Sequence, residues 1–319
     1  MFAKSSDQAR SVYPAAVRKK LVIAADVDRS LLEHAHADGR FDVADRPVKT
    51  EDELARVVSD AQILVTRSYN RVTRRVIDAA PQLELIAQGT SGTDNIDHAA
   101  ANARGIAIVS MPGENANAVA ELVIGYILSM TRTIPFYTRA MARGEWPRDD
   151  CAERHEMRHY RLGLIGLGQV GSRVARLARA FGMEPQAYDP YVEEARVPSL
   201  QALLTSSDIV TLHVPLTEET RRMIGAPEIA SMPRGSFLIN AARGEVLDQR
   251  AALNALANDH LGGLALDVFD PEPPAGGFAD DPRLILTPHV GGCSHECKTA
   301  IGARLYEKIV AFYEVSSRA

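Results

Sequence analysis

From Lys20 onward, short apolar runs alternate with longer stretches in which apolar residues recur every three or four positions. The runs at 21–24, 61–66, 83–87 and 106–109 read as strands, with helices at 29–37, from Thr50 and from Thr73 between them. Thr50 and Glu53 form a capping box that marks the start of the second helix. The same alternation resumes after residue 160, with strands at 185–188, 208–213, 237–240 and 264–268 and helices at 170–181, 199–204, near Pro227 and at 248–257. Strand–helix–strand order of this kind builds parallel sheets, so the fold class is α/β. A chain of 319 residues exceeds one ordinary core, and two domains are expected. We read one as 111–291 and the other as 1–110 together with 292–319, where a last helix at about 294–315 returns to it, which makes it discontinuous.

Residues 116–131 are apolar around much of the helical circumference, with Val119, Leu122, Val123, Tyr126, Ile127 and Met130 in helical positions. That pattern suits a helix between domains or subunits, or equally a core helix of one domain. Trp146, the only tryptophan, is expected to close a second helix at R-G-E-W-P.

Residues 160–171 read Y-R-L-G-L-I-G-L-G-Q-V-G, a strand, a tight turn and the start of a helix. Gly166, Gly168 and Gly171 form G-x-G-x-x-G: the first permits the turn, the second lets backbone approach a pyrophosphate, and the third lets helix pack on strand. The helix that follows carries Val170, Val174, Leu177 and Phe181 at helical spacing. About twenty residues on, Asp189 ends the next strand where an acid that binds an adenosine ribose is expected.

Composition adds mainly exclusions. A net charge of -5 with interspersed signs offers no basic stripe, so no nucleic acid or acidic membrane is expected as a partner. Cys151, Cys293 and Cys297 make no disulfide framework, there is no apolar leader or run of transmembrane length, and a cytoplasmic protein is expected. The first seventeen residues read as a loose arm. His155-Glu156-Met157-Arg158-His159 matches the H-E-x-x-H zinc motif, but it is crowded with arginine and runs straight into a strand, so no metal is expected. Cys293 and Cys297, near His289 and His295, are read as packing residues on one face of the final helix.

Three polar residues stand where strands of the second domain end: Arg243 in N-A-A-R-G-E, Glu272 in D-P-E-P-P and His289 in T-P-H-V-G-G. Together they suit a 2-hydroxy acid. An arginine can hold its carboxylate and polarise the adjacent carbonyl, a histidine can exchange the hydroxyl proton, and a carboxylate beside it favours the imidazolium.

With S-G-T-D-N-I-D, R-G-I-A-I-V, S-D-I-V-T-L-H-V-P-L-T, I-N-A-A-R-G-E-V-L-D, A-L-D-V-F-D-P-E-P and T-P-H-V-G-G in this order, the chain resembles the D-isomer-specific 2-hydroxyacid dehydrogenases from about Ala61 to Gly292. The resemblance implies a Rossmann NAD-binding domain plus a flavodoxin-like α/β substrate-binding domain, a small 2-hydroxy or 2-keto acid as substrate, and a homodimer. It implies Arg243, Glu272 and His289 as the catalytic set, Gln169 and Val170 on the pyrophosphate, and Asp267 on the nicotinamide carboxamide. His213, Val214, Pro215, Ala241, Ala242, Gly291 and Gly292 would line NAD, and Arg67, Ser91, Gly92 and Thr93 would touch substrate. Gln88 stands where phosphate-handling relatives often carry arginine, so an unphosphorylated substrate is expected and Gln88→Arg is expected to favour a phosphate. Phosphoglycerate dehydrogenase proper is the alternative, as is a dinucleotide-sensing protein like the corepressors that resemble these enzymes. Formate dehydrogenation fits less well, since carbon dioxide formation releases no hydroxyl proton for a Glu-supported histidine.

Overall fold

The computed structural model describes residues 18–148, 154–195 and 197–316, so the first seventeen residues and Cys151 lie outside the described residues. The chain forms two compact units, one running to Met111 and resuming at Thr299, the other spanning Pro112–Lys298.

In the first unit β1 (Lys19–Ile23), β2 (Phe41–Asp45), β3 (Ile63–Thr66), β4 (Leu85–Gln88) and β5 (Ala107–Val109) form a parallel sheet in the order β2-β1-β3-β4-β5. This is the flavodoxin-like order. Alternate residues of each strand feed two cores. Val22, Leu64 and Ile86 pack with α2 (Glu51–Val57), α3 (Arg74–Asp78) and α4 (His98–Ala103), whereas Ile23, Val65 and Leu85 pack with α1 (Arg29–Ala37) and the C-terminal helix through Leu305 and Ile309. Sheets covered on both faces read as unbroken apolar runs, which is why β3 and β4 are buried along their whole length.

The second unit begins with α5 (Ala116–Thr131) and α6 (Ile134–Ala142) and continues through β6 (Leu162–Ile165), α7 (Gln169–Ala180), β7 (Gln186–Tyr188), α8 (Leu200–Ser206) and β8 (Ile209–Leu212). It closes with α9 (Ala226–Ser231), β9 (Ser236–Asn240), α10 (Gln249–Ala257), β10 (Leu261–Leu266) and β11 (Leu284–Leu286), and α11 (His295–Ser316) runs on into the first unit. The sheet is parallel, in the order β11-β10-β9-β8-β6-β7. Helices α5 and α7 cover one face over Leu162, Leu164 and Ile239; α8, α9 and α10 cover the other over Ile165, Val210 and Leu238. Each fully buried Leu or Ile in these layers contributes roughly 1.5–3 kcal/mol. Ser199 and Asp248 cap α8 and α10 by accepting N–H groups of Ala202 and Ala251, each worth ~1 kcal/mol.

The structure changes several expectations. Helix α6 ends at Ala142, where Gly144 takes a left-handed conformation (φ +78°), so Trp146 lies beyond the helix instead of closing it. Helix α7 buries Gly171, Val174, Ala175 and Ala178, a stripe of small residues that lets α5 and the sheet come close, while Phe181 is exposed. Strands β2 and β11, not anticipated, each lie at one edge of their sheet, opposite β5 and β7; F-D-V-A-D carries too many polar residues to stand out as a run. Cys293 precedes α11 and is exposed, whereas Cys297 is buried, so the two do not share a helical face.

Candidate active site

The order of the second sheet reverses at β6, which lies between β7 and β8, and ligands of open parallel sheets bind outside the strand ends at such a point. Gly166 has φ +95°, and a Cβ there would stand 2.7 Å from the His213 carbonyl oxygen; at Gly171 a Cβ would stand 2.2 Å from the carbonyl oxygen of Gly166. Protein backbone therefore excludes any other residue at both positions. A Cβ at Gly168, by contrast, would meet no atom within 4 Å. Open space at the start of α7, next to the first-turn N–H groups of Gln169 and Val170, fits a pyrophosphate.

Asp189, just after β7, accepts the Leu167 N–H at 2.8 Å and the Tyr191 N–H at 3.0 Å, so it pins the glycine turn as well as its own loop. His213, Val214 and Pro215 follow β8, and the His213 N–H donates to the Ile165 carbonyl at 2.7 Å. Desolvation pushes the His213 imidazole down to about 3, so this ring is neutral at physiological pH.

Ala241, Ala242 and Arg243 follow β9. Asn240, fully buried, accepts the Ala242 N–H at 3.0 Å and donates to the Arg243 carbonyl at 2.9 Å, fixing this turn from inside. The Arg243 side chain donates to the Ala242 carbonyl at 2.7 Å. His289 and Glu272 come together directly, with Nδ1 2.7 Å from Oε2; the other carboxylate oxygen accepts the Phe269 N–H at 3.0 Å. Burial pushes the Glu272 carboxyl up, but the His289 hydrogen bond and charge, the Phe269 N–H and the Arg243 charge outweigh it and hold it below the usual carboxylate value. His289 itself has a left-handed backbone, φ +53°, which costs a residue with a Cβ about 1–2 kcal/mol and has to be held by its surroundings. Asp267, after β10, accepts the N–H groups of Val290 and Gly291, each at 2.8 Å, while Gly292 follows in the same turn.

In the first unit, Arg67 follows β3 and the turn containing Ser91, Gly92 and Thr93 follows β4. The Arg67 guanidinium donates to the Asp26 carbonyl at 3.3 Å. Gln88 departs from expectation. It is fully buried: Oε1 accepts from the Thr66 hydroxyl at 2.6 Å, and the two Nε2 hydrogens go to Thr90 Oγ1 and Asn95 Oδ1, each at 2.8 Å, with the Gly92 carbonyl a further 3.2 Å contact. Its side chain supports the turn from below and presents nothing to a ligand.

His155 lies outside any helix, Glu156 is extended, and a single 3-10 turn follows at Met157–His159, so the H-E-x-x-H sequence is not on an α-helix. Among the described residues no three His, Cys, Asp or Glu side chains are grouped to hold a metal ion.

The residues that hold these three polar groups are not singled out by the sequence. Asn240 directly precedes the Ala-Ala pair of its motif, and Thr287 begins T-P-H; both are visible in the motifs, but their direction is not. Tyr126, whose hydroxyl bonds the Thr287 hydroxyl, was read only as part of an apolar helix.

Residues 124–291 match the NAD-binding domain of the D-isomer specific 2-hydroxyacid dehydrogenases. D-3-phosphoglycerate dehydrogenase of Methanocaldococcus jannaschii is 39% identical over 273 residues, 82% of this chain and 51% of that protein, so the chain spans about half of that relative. Hydroxypyruvate reductase of Thermotoga maritima is 37% identical over 267 residues, 81% of this chain and 87% of its own. The crystal structure of D-lactate dehydrogenase from Aquifex aeolicus, complexed with NAD and lactic acid, superposes with a TM-score of 0.82 at 27% identity, covering 94% of this chain and 97% of that one. The glycine turn with its open helix N-terminus, the three polar residues at the strand ends and these likenesses agree: the chain belongs to the D-isomer-specific 2-hydroxyacid dehydrogenase family, NAD-dependent oxidoreductases that act on the CH–OH group of a 2-hydroxy acid.

Proposed function

We propose that the chain interconverts a small, unphosphorylated D-2-hydroxy acid, of the size of glycerate or glycolate, and its 2-keto acid. The observation that carries this is the His289–Glu272 pair at 2.7 Å, with the Arg243 charge acting on the same carboxylate. NAD, when bound, supplies or accepts the hydride. Gly166, Gly168, Gln169, Val170 and Gly171 would hold its pyrophosphate, and Asp189 its adenosine ribose. His213, Val214, Pro215, Ala241, Ala242, Gly291 and Gly292 would complete the cofactor site, whereas the Asp267 carboxylate, expected on the nicotinamide carboxamide, is buried and taken up by Thr287, Val290 and Gly291, so it supports the site from behind. Arg243 orients the substrate carboxylate and polarises its carbonyl. His289 gives a proton to the ketone oxygen or takes it from the hydroxyl, and Glu272 stabilises the charged imidazole meanwhile. Arg67 and the backbone of Ser91, Gly92 and Thr93 serve as further carboxylate contacts. With Gln88 buried, Arg67 is the one cation of this set in the first unit, a thin site for a phosphate dianion.

A panel of 2-keto acids with NADH tests this, with glyoxylate and hydroxypyruvate expected to outperform 3-phosphohydroxypyruvate. Preference for the phosphorylated acid would favour the phosphoglycerate reading carried by several relatives. Arg243→Ala should lower turnover by ~1,000-fold or more while NADH still binds; near-normal turnover would remove the assignment. We further propose a homodimer in the cytoplasm. No single helix of the described residues is long and apolar enough to cross a membrane, and exposed apolar residues on and after α6 support the dimer.

A further inference from the structure

Asp267 is only 1% exposed, and its carboxylate is engaged entirely by the segment that carries His289. One oxygen accepts the Thr287 hydroxyl at 2.5 Å and the Val290 N–H at 2.8 Å; the other accepts the Gly291 N–H at 2.8 Å. The main chain adds a bond in the same sense, with the His289 N–H donating to the Asp267 carbonyl at 2.7 Å. His289 is therefore bracketed on both sides by bonds to one residue, and it is the residue in this segment with a left-handed backbone.

The direction of the chain behind Asp267 follows from chemistry. A carboxylate only accepts, so Thr287 must spend its single proton on Asp267. Its oxygen is then an acceptor, and the Tyr126 phenol, which contacts it, must be the donor. Burial pushes the Tyr126 phenol well up, by more than its contact with Thr287 opposes, and the Asp267 charge adds to the rise, so it keeps that proton throughout the working pH range. Helix α5 thus reaches the histidine segment through a one-way sequence, Tyr126 to Thr287 to Asp267 to the Val290 and Gly291 N–H groups. Tyr126 is 3% exposed, and its ring lies in the core beneath the sheet, so the sequence is anchored in rigid structure.

We propose that Tyr126 and Thr287 are positioning residues for His289, holding its segment through Asp267 in the backbone conformation that sets the imidazole on Glu272. The inference rests on the reading that His289 is the acid–base group. A misplacement of such a group by about 1 Å costs on the order of 100-fold in rate.

Thr287→Val keeps the shape and loses the hydroxyl, Thr287→Ser does the reverse, and Tyr126→Phe removes only the phenol oxygen. Each would be compared with the parent protein for single-turnover reduction of glyoxylate by NADH, NADH affinity by fluorescence, and thermal midpoint. Thr287→Val and Tyr126→Phe should lose about tenfold or more in rate, with NADH affinity within about threefold, and Thr287→Ser should recover most of the rate. In a His289→Gln background, Thr287→Val should cost nothing further. A Thr287→Val protein as fast as the parent, a Thr287→Ser protein as slow as the valine variant, or an equal loss in the His289→Gln background would overturn the inference while leaving the acid–base role intact. Near-normal turnover of His289→Gln alone would instead overturn that role, and the inference with it. Should Thr287→Val fail to fold, Tyr126→Phe and Thr287→Ser decide by the same criteria.

Discussion

The Glu272 carboxyl has two jobs that a pH titration separates. Burial pushes the carboxyl up, but the His289 hydrogen bond and charge, with the Phe269 N–H and the Arg243 charge, together hold it below the usual value. A depressed carboxyl contributes stability that is present above its unfolded value and fades as pH falls through the folded one. Parent and Glu272→Gln proteins should therefore differ in urea midpoint at neutral pH and converge as the solution is taken below the usual carboxylate range. At neutral pH the same variant should lose ~100-fold in kcat/KM, because the imidazolium formed during turnover loses its counter-charge. Equal activity, or a stability gap that widens in acid, would contradict the pairing. Arg243, Glu272 and His289 were legible in sequence because each sits in a rigid, punctuated turn after a strand, where side-chain direction is constrained. Gln88 was not. Strand β4, L-I-A-Q, is buried along its length, so alternation gives no sign of which way its last residue faces.

At the scale of elements, the turn after β4 is held by a buried amide where a reader of sequence alone sees a ligand-facing position. Gln88 bonds Thr66 on the neighbouring strand, and Thr90, Gly92 and Asn95 in the turn, while Asn95 passes the connection to the carbonyls of Arg67 and Asn70. The loops after β3 and β4 are thereby one hydrogen-bonded body. Gln88→Arg would place a longer, charged side chain in this space and leave the Thr66 hydroxyl without its acceptor. We expect it to lower stability by about 3 kcal/mol or more and not to raise activity on phosphorylated acids. Denaturant unfolding alongside the substrate panel checks both, and a stable variant that prefers a phosphate would refute the buried role. The Thr50–Glu53 capping box could be read from the chain because its two partners lie three residues apart. Edge strands β2 and β11 could not, since their pairing depends on neighbours far along the chain.

For the whole molecule, the apolar runs come in two series with a last helix after the second, and the chain forms two compact units, of which the first, running to Met111 and resuming at Thr299, is discontinuous. Oligomeric state is not written in such a pattern, but the second unit gives a way to measure it. Ile134 and Met141 on α6 are each 49% exposed, and Trp146 just beyond is 72% exposed. A cluster of large apolar side chains on one short segment is the kind of surface that a partner covers, and a stable dimer needs about 1,000 Å² or more of buried area in total. Because Trp146 is the only tryptophan, its emission reports on this segment alone. In a dimer joined here, the emission at micromolar protein should be blue-shifted and poorly quenched by iodide, and should turn to that of a hydrated indole on dilution. Met141→Glu should give a folded monomer by light scattering, with hydrated emission at every concentration. A parent protein that scatters as a monomer at micromolar concentration, or a dimer whose Trp146 remains fully quenchable, would show that this surface does not join two copies.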